Sequence, residues 1–396
     1  MPAPKAILKP KRAQPFFGRH PWVYAGAIER IEGQTHDGDE VDLVSSADNF
    51  VGRGLFNSQS KIQVRLYSWE QGIELNRAFF RDRLERALYL RHDILKLNLP
   101  DAGYRVAFSE ADFLSGLVVD RYGDWLTVQF TALGLAHRRI AIVESLRELL
   151  NPRGIYLRTE KGIGKLEGVE LHDGVIWGET PPPDLAIMEN GLRVFVNLEE
   201  GQKTGYYLDQ RDNRLAVANL STGKRVLDAF CYSGGFGLQA ARCGATEVLG
   251  IDASEQALEL ARRNAAANGL NNIKYECADV FRHLADLAAA GRQFDVVVLD
   301  PPKFARNRAA APEALKGYRR LHQLALKLLA RDGLLVSCCC TGLIALQEVE
   351  DLIAQVAVNQ RRDLQILDRR GASPDHPVAI TCPQSSYLKC IISRVF

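Results

Sequence analysis

The stretch Arg225 to Gly237 reads Arg-Val-Leu-Asp-Ala-Phe-Cys-Tyr-Ser-Gly-Gly-Phe-Gly, and it decides the fold. The residues Val226 to Ala229 predict a short buried strand, and the glycine-rich turn after them leads into an Ala/Leu-rich helix. Further short apolar strands alternate with such helices as far as Cys338. This βαβ succession predicts an α/β domain with a mostly parallel sheet and helices on both of its faces.

The part of the chain before this domain has a different pattern. Residues 22–68 carry short strand patterns separated by glycines, which predict a small β-barrel. Residues 76–97 and the stretch Ala136 to Leu150 have helical spacing, with strand patterns between and after them that predict an α+β arrangement. The run Pro181 to Pro183 is a candidate linker. We therefore expect three domains: a β-barrel at 1–72, a central α+β domain at 73–185 and the α/β domain at 186–396.

Composition excludes several classes of protein. Apolar residues make up 46% of the chain and charged residues 25%, as in ordinary globular proteins. There is no run of about 18 apolar residues, so no membrane span is expected, and no apolar segment follows Lys5 to Lys11, so no signal peptide is expected. The eight cysteines contain no Cys-x-x-Cys pair. We expect no metal site and a reducing, cytoplasmic location.

The net charge of +2 hides an uneven distribution of charge. Positive residues cluster before the first acid, Glu29, and again in the helical stretch 76–97. Clustered positive charge is typical of contact with a phosphate backbone. For the second cluster, an equally open alternative is a solvated helix face that Asp82 and Glu85 neutralise. The first cluster is Lys5, Lys9, Lys11, Arg12 and Arg19, and the second is Arg77, Arg81, Arg83, Arg86 and Arg91.

Acidic residues stand at the ends of the first four strands of the α/β domain, at the edge where such sheets bind ligands. The glycines fall at 234, 235 and 237, which is not the Gly-x-Gly-x-x-Gly spacing of dinucleotide-binding domains. Asp252 could accept from ribose hydroxyls, Asp279 from an adenine amino group, and Asp228 suits a cationic amino-acid group. This combination favours S-adenosylmethionine over NAD. The expected cofactor-binding residues are Asp228, Phe230, Ser233, Gly234, Gly235, Asp252, Asp279 and Asp300.

The fourth strand runs into Asp300-Pro301-Pro302-Lys303-Phe304, at the place where a flipped base would lie. This segment and the Asp-x-Phe-x-x-x-Gly-Gly turn resemble the fourth and first motifs of class I nucleic-acid methyltransferases. Amino-group methylases of that class usually carry Asn-Pro-Pro-Tyr here. Asp300 and Phe304 therefore point away from an exocyclic nitrogen as the target. Lys303 is a candidate for contact with phosphate or for support of Asp300.

Three consecutive cysteines occupy the end of the fifth strand and precede Thr341-Gly342. A thiolate that adds to C6 of a pyrimidine makes C5 nucleophilic enough to take a methyl group. Along a strand, Cys338 and Cys340 share a face and Cys339 points away. Cys340 lies nearest the carboxyl edge, so we expect Cys340 to be the nucleophile and Asp300 to bond N3 of the base. Cys338 and Cys339 are expected to be buried as small apolar residues.

The whole chain resembles the bacterial large-subunit ribosomal RNA (cytosine-5)-methyltransferase family, which joins an RNA-binding PUA domain to a Rossmann-like methyltransferase domain. In that family the nucleophilic cysteine precedes Ser-Gly or Thr-Gly, which matches Cys340-Thr341-Gly342. One departure is Ser115, where relatives often have proline. The segments that carry the resemblance are 18–28, 51–57, 110–123, 203–211, 300–304, 340–342 and 375–377.

The resemblance implies a cytoplasmic enzyme that methylates C5 of a cytosine in 23S ribosomal RNA, with a homodimer as a candidate assembly. It places Gln210 and Arg211 near the methionine part of S-adenosylmethionine, and it leaves His376 either a base or a structural residue. Two alternatives stay open: a guanine methyltransferase with bystander cysteines, and a non-catalytic RNA-binding assembly factor. The expected RNA-binding residues are Lys9, Lys11, Arg12, Arg19, His20 and Lys303.

Overall fold

The computed structural model describes residues 3–160, 162–201, 203–305 and 307–396. The chain folds into two compact units. The first consists of Met1–Ile187, Val196–Leu208 and Pro374–Ser385, and the second of Met188–Phe195, Asp209–Ser373 and Ser386–Phe396. Within the described residues, every helix is too short or too polar to cross a membrane.

The first unit contains two sheets. A six-stranded sheet has the order β2-β6-β5-β4-β1-β3 and a five-stranded sheet the order β11-β10-β9-β8-β7. The strands are β1 (Lys5–Leu8), β2 (Trp22–Tyr24), β3 (Ile28–Glu32), β4 (Glu40–Val44), β5 (Phe50–Phe56), β6 (Ile62–Ser68), β7 (Gly103–Phe108), β8 (Leu117–Tyr122), β9 (Trp125–Phe130), β10 (Gly154–Leu157) and β11 (Gly174–Gly178). The helices are α1 (Gln14–Phe17), α2 (Arg77–Tyr89), α3 (Leu133–His137), α4 (Arg139–Leu150) and α5 (Ile163–Glu167).

Alternating burial explains the strands of the first sheet. In β4, Val41 and Leu43 are fully buried while Glu40 and Asp42 are partly exposed, so one face covers a core. The helix predicted from Ala136 to Leu150 is instead two helices, α3 and α4. The break is at Arg138, whose guanidinium donates to backbone carbonyl groups of residues 38, 75 and 134. As expected, α4 ends at Leu150.

The second unit is built on a seven-stranded sheet with the order β16-β15-β14-β17-β18-β20-β19. Its strands are β14 (Arg225–Ala229), β15 (Glu247–Asp252), β16 (Ile273–Cys277), β17 (Phe294–Leu299), β18 (Leu329–Cys339), β19 (Leu364–Arg370) and β20 (Lys389–Val395). Its helices are α6 (Arg211–Ala218), α7 (Gly235–Arg242), α8 (Glu255–Ala267), α9 (Val280–Ala289), α10 (Ala311–Leu328) and α11 (Leu346–Asn359). A two-stranded sheet, β12 (Ala186–Glu189) and β13 (Leu192–Phe195), precedes them.

The direction of the strands fixes where a ligand can bind in this unit. Strands β14 to β18 are mutually parallel, and β20 is antiparallel to both β18 and β19. From β14 the chain adds successive strands in one direction, and from β17 it adds them in the opposite direction. The topological switch point, where such sheets bind ligands, therefore lies between β14 and β17. The predicted α/β fold with a Rossmann-like sheet is confirmed. The three domain boundaries stay predictions.

Candidate functional site

The turn after β14 is sharply bent. Phe230 and Tyr232 have positive φ angles of 63° and 50°, and Gly234 has a φ of 88°. A non-glycine residue in this conformation costs roughly 1 kcal/mol or more, so the surrounding structure must hold it in place. The glycines are also required by the protein's own packing, because a Cβ on Gly234 would lie 2.5 Å from the Tyr275 hydroxyl oxygen. One on Gly235 would lie 2.5 Å from Nε of Arg214.

Two of the strand-end acids hold this edge of the sheet together. Asp252 accepts from the backbone N–H of Tyr232 and of Ser254, both at 2.9 Å. Asp279 is exposed and caps α9, where it accepts from the backbone N–H of Arg282 at 2.9 Å. An ionised carboxylate has about four acceptor positions, so both groups keep capacity for the donors of a ligand.

Of the strand-end acids, Asp228 has the surroundings most typical of a ligand-binding residue. Its carboxylate is 1% exposed, and Oδ2 accepts from the backbone N–H of Gly237 at 2.8 Å. Oδ1 is buried and has no hydrogen-bond partner among the described residues, and the same holds for the Ser233 hydroxyl. Burial raises the pKa of Asp228 to about 7. A buried oxygen without a donor is costly, so a donor from a bound group fits this place.

A chain of side-chain amides orients Asp300 on the other side of the switch point. Nε2 of Gln210 donates to Oδ2 of Asp300 at 3.1 Å, and Nδ2 of Asn213 donates to Oε1 of Gln210 at 2.7 Å. Nε of Arg370 in turn donates to Oδ1 of Asn213 at 2.9 Å. The structure therefore brings Gln210 and Asp300 together. Asn213 and Arg370 belong to no local motif, so no pattern in the sequence marks them as site residues.

The three consecutive cysteines have different surroundings. Cys338 and Cys339 are each 1% exposed, opposite Cys390 and Lys389 of β20. A hydrogen bond with Cys390, together with burial, raises the pKa of the Cys338 thiol well above its ordinary value. Cys340 lies beyond the end of β18 and is partly exposed, and its Sγ is 3.8 Å from the carbonyl oxygen of Pro301. Of the three, Cys340 is the one placed at the Asp300-Pro301 segment.

The other expected residues of the second unit lie at the same edge or on its surface. Phe230 is partly buried, with its ring edge-to-face with Phe281 at 6.2 Å between centroids. Nε of Arg211 donates to Asp212 at 3.0 Å, and Lys303 is exposed. No group of three or more His, Cys, Asp or Glu side chains in the described ranges could hold a metal ion.

In the first unit, the two basic clusters differ in their partners. In the first cluster Lys5 pairs with Asp48 at 2.8 Å, whereas Lys9, Lys11, Arg12 and Arg19 are exposed and have no acidic partner within 4 Å in the part of the chain that the structure describes. By contrast, most of the helix cluster is paired, which favours its structural reading. The pairs are Arg77 with Glu144 and Glu148, Arg81 with Glu85 and Glu148, Arg86 with Asp82, and the fully buried Arg91 with Asp112.

Two histidines of the first unit are engaged by neighbouring groups. Nδ1 of His20 accepts from the backbone N–H of Trp22 at 3.2 Å, and its Nε2 lies 3.4 Å from Oε1 of Gln384. His376 is 4% exposed, and its Nδ1 lies 3.3 Å from Oδ1 of the fully buried Asp375. This burial favours a structural role for His376.

Comparison with known proteins agrees with this geometry. Residues 6–69 match the PUA-like domain family, and residues 175–391 match the family of S-adenosylmethionine-dependent methyltransferases. Relatives include the ribosomal RNA large subunit methyltransferases I of Aeromonas hydrophila, 39% identical over 97% of both chains, and of Tolumonas auensis, 37% identical over 98% of both. A solved Streptococcus mutans structure described as a methyltransferase shares the fold, with a TM-score of 0.84 and 23% identity over 98% of this chain and 99% of that one. The chain therefore belongs to the S-adenosylmethionine-dependent methyltransferases, in the branch that carries an N-terminal PUA-like domain, and its cofactor is S-adenosylmethionine.

Proposed function

We propose that the protein methylates C5 of a cytosine in 23S ribosomal RNA, with Cys340 as the nucleophile. The observation that carries this proposal is the position of Cys340, partly exposed and 3.8 Å from the carbonyl of Pro301, directly after Asp300. The relatives at 37–39% identity are named as methyltransferases of large-subunit ribosomal RNA, which supports the choice of polymer.

The proposed reaction begins at the thiolate of Cys340. Sγ forms a bond to C6 of the cytosine, and the electrons of the C5–C6 double bond become available at C5. When bound, S-adenosylmethionine supplies a methyl group activated by its sulfonium, and the S–CH3 bond breaks to leave S-adenosylhomocysteine. C5 takes that methyl group, a base then removes the C5 proton, and the Sγ–C6 bond breaks as the double bond forms again. The RNA exchanges one proton for one methyl group, and Cys340 is released as a thiolate.

Asp300 is the residue we assign to the pyrimidine edge. Its carboxylate is held by Nε2 of Gln210, so its orientation is set before the base arrives. A hydrogen bond to N3 withdraws electron density from the ring and favours attack at C6. This bond requires a proton either on N3 or on Asp300.

Covalent trapping tests the proposal directly. RNA that carries 5-fluorocytidine has no removable proton at C5, so the enzyme should remain attached after methyl transfer. We expect a complex that survives denaturing electrophoresis with the wild type and with Cys339→Ala, and none with Cys340→Ala. We also expect Cys340→Ala to lose at least about a thousandfold in methyl transfer, as removal of a nucleophile does in other enzymes.

The two alternatives give different results in the same preparation. A guanine methyltransferase would keep its activity in Cys340→Ala and yield methylguanosine on digestion of the RNA. A non-catalytic RNA-binding factor would not bind S-adenosylmethionine in a calorimetric titration. Bisulfite sequencing of ribosomal RNA from a strain lacking the gene identifies the target, and an unchanged methylcytosine pattern contradicts our proposal.

We further propose that exposed cations guide the RNA and that the enzyme acts in the cytoplasm. Lys9, Lys11, Arg12 and Arg19 are suited to phosphate contact because no carboxylate within 4 Å neutralises them among the described residues. Lys303 is exposed next to Pro302 and is suited to the same task at the target nucleotide. Sedimentation of the full chain decides between a monomer and the homodimer considered above.

A further inference from the structure

Lys389 lies beside the proposed nucleophile, although no sequence motif marks it. It is the first residue of β20 and pairs in register with Cys339 of β18. Its Nζ donates to the carbonyl oxygen of Thr341 at 2.7 Å and to that of Tyr387 at 3.3 Å. The first of these bonds holds the peptide between Thr341 and Gly342, so the lysine fixes the turn that directly follows Cys340.

The position of Lys389 is itself fixed by the segment before it. The Tyr387 hydroxyl donates to the carboxylate of Asp209, which is buried. A Cβ on Gly342 would lie 3.9 Å from Cβ of Tyr387, in ordinary van der Waals contact. Residues 387–389 thus pack along the turn 340–342, and the lysine has little freedom to leave it.

The charge of the Lys389 ammonium group is the second feature of this residue. It is partly buried and makes no ion pair with a carboxylate within 4 Å in the described ranges. Burial lowers its pKa, and the nearby thiols of Cys339 and Cys340, together with Glu348, act in the opposite direction. Cys339 is buried and has no access to solvent, so the reactive group that this charge can serve is Cys340.

We propose that Lys389 is a positioning residue that holds the Cys340 turn and stabilises the Cys340 thiolate with its positive charge. The inference rests on the proposed role of Cys340. The thiol proton passes to solvent and the ammonium keeps its own protons, because a cation next to a sulfur favours the thiolate. Among the described residues, the charged or titratable groups around this thiol include Lys389, Asp300, Tyr318, Cys339 and, beyond the lysine, Glu348.

The pH dependence of thiol alkylation tests this role without relying on activity. The rate of iodoacetamide reaction at Cys340 is read by tandem mass spectrometry on the full chain, from pH 6 to pH 10. For Lys389→Met we expect the midpoint to rise by about one pH unit, with about tenfold slower reaction at pH 7. Lys389→Arg keeps the charge and should recover most of the rate. Lys327→Met, an exposed lysine of the same unit, is the control and should match the wild type.

Activity then separates a positioning role from a general structural one. Lys389→Met should lower kcat by about tenfold or more while the KM for S-adenosylmethionine stays unchanged. An alkylation profile of Lys389→Met that superimposes on the wild type overturns the inference. If Lys389→Met does not fold, a profile of Lys389→Gln that matches the wild type overturns it equally. Full activity of Cys340→Ala would instead refute the proposed function, so the two failures are distinguishable.

Discussion

At the scale of single residues, Asp228 combines burial with an unused oxygen. Its pKa of about 7 is raised mainly by burial, and the bond from Gly237 acts against that shift. A carboxyl group with a raised folded pKa binds its proton more tightly in the folded than in the unfolded state. Its contribution to stability is therefore present at acidic pH and is lost as pH rises from about 4 to about 7. The protein keeps a destabilising group here, which is typical of a binding site.

We therefore predict that Asp228→Asn removes a pH-dependent cost. Relative to the wild type, the variant should gain stability between pH 5 and pH 8, by up to about 1.4 kcal/mol per pH unit below the folded pKa. Urea unfolding at both pH values, without S-adenosylmethionine, measures this difference.

A control of opposite sign is available in Asp295. The hydrogen bond from Arg225 lowers the pKa of Asp295, so its stabilising contribution is present at neutral pH and is lost as pH falls. Asp295→Asn should therefore lose more stability at pH 8 than at a pH below 3.8, the ordinary pKa of aspartate. A difference between Asp228→Asn and the wild type that does not vary with pH would contradict the assignment for Asp228.

At the scale of elements, the first residue of α7, Gly235, lies where there is no space for a side chain. Gly235 packs against Arg214, whose guanidinium pairs with Glu189 at 2.9 Å, and both of these charged residues are under 5% exposed. A methyl group at residue 235 would push the arginine out of this pair. The gain in helix propensity from alanine, up to about 1 kcal/mol, is smaller than the cost of disturbing a buried ion pair.

We predict that Gly235→Ala lowers the free energy of unfolding by about 1–3 kcal/mol, as overpacking does in other cores. Denaturant unfolding of the full chain measures this, followed through the transition of the second unit. Gly371→Ala is the matched control, because its Cβ would meet nothing closer than the Leu388 carbonyl oxygen at 3.8 Å. Equal destabilisation by both substitutions would show that the pair of Arg214 and Glu189 is not the cause.

Local sequence patterns predicted the strands and helices that bury apolar residues at regular spacing. The residues Glu40–Val44 and Trp125–Phe130 each have the pattern of a short strand, and β4 and β9 are observed with these bounds, since such a pattern is a local signal. The predicted helix at 76–97 is not regular throughout. It becomes a π-helical turn at Leu90–Ile94, where the Arg91 side chain is fully buried and pairs with Asp112. Only the tertiary partner explains that turn.

The candidate site was predictable where its residues are contiguous. The glycine turn, Asp300 and Cys340 stand in short motifs whose chemistry can be read from residue types. Lys389 could not be found in this way, because it reaches Thr341 from 48 residues away through antiparallel pairing of β20 with β18. A βαβ pattern predicts parallel neighbours and gives no register for an added antiparallel strand.

At the scale of the whole molecule, the placement of charge matters more than its sum. The net charge is only +2, yet four exposed cations near the N-terminus have no acidic partner within 4 Å among the described residues. In α2, Arg77 and Arg86 are exposed and Arg81 is partly exposed, but each pairs with glutamate or aspartate. A paired carboxylate neutralises most of an arginine's positive potential. We therefore expect only the N-terminal cations to bind phosphates strongly.

This expectation predicts how RNA binding depends on salt. A full-length variant with Lys9→Gln, Lys11→Gln and Arg12→Gln should bind ribosomal RNA more weakly. The magnitude of the slope of log affinity against log salt should fall by up to about 2, because each lost phosphate contact removes about 0.7 from it. Arg77→Gln, Arg81→Gln and Arg86→Gln together remove the same charge and should change that slope little, because those arginines are neutralised by their acids. Filter binding between 50 and 300 mM salt, on the order of the range where counterion release is measurable, compares the two variants. Equal loss of slope in both would mean that RNA responds to the total charge of the chain, whereas loss confined to the first variant assigns the contact to the N-terminal cations.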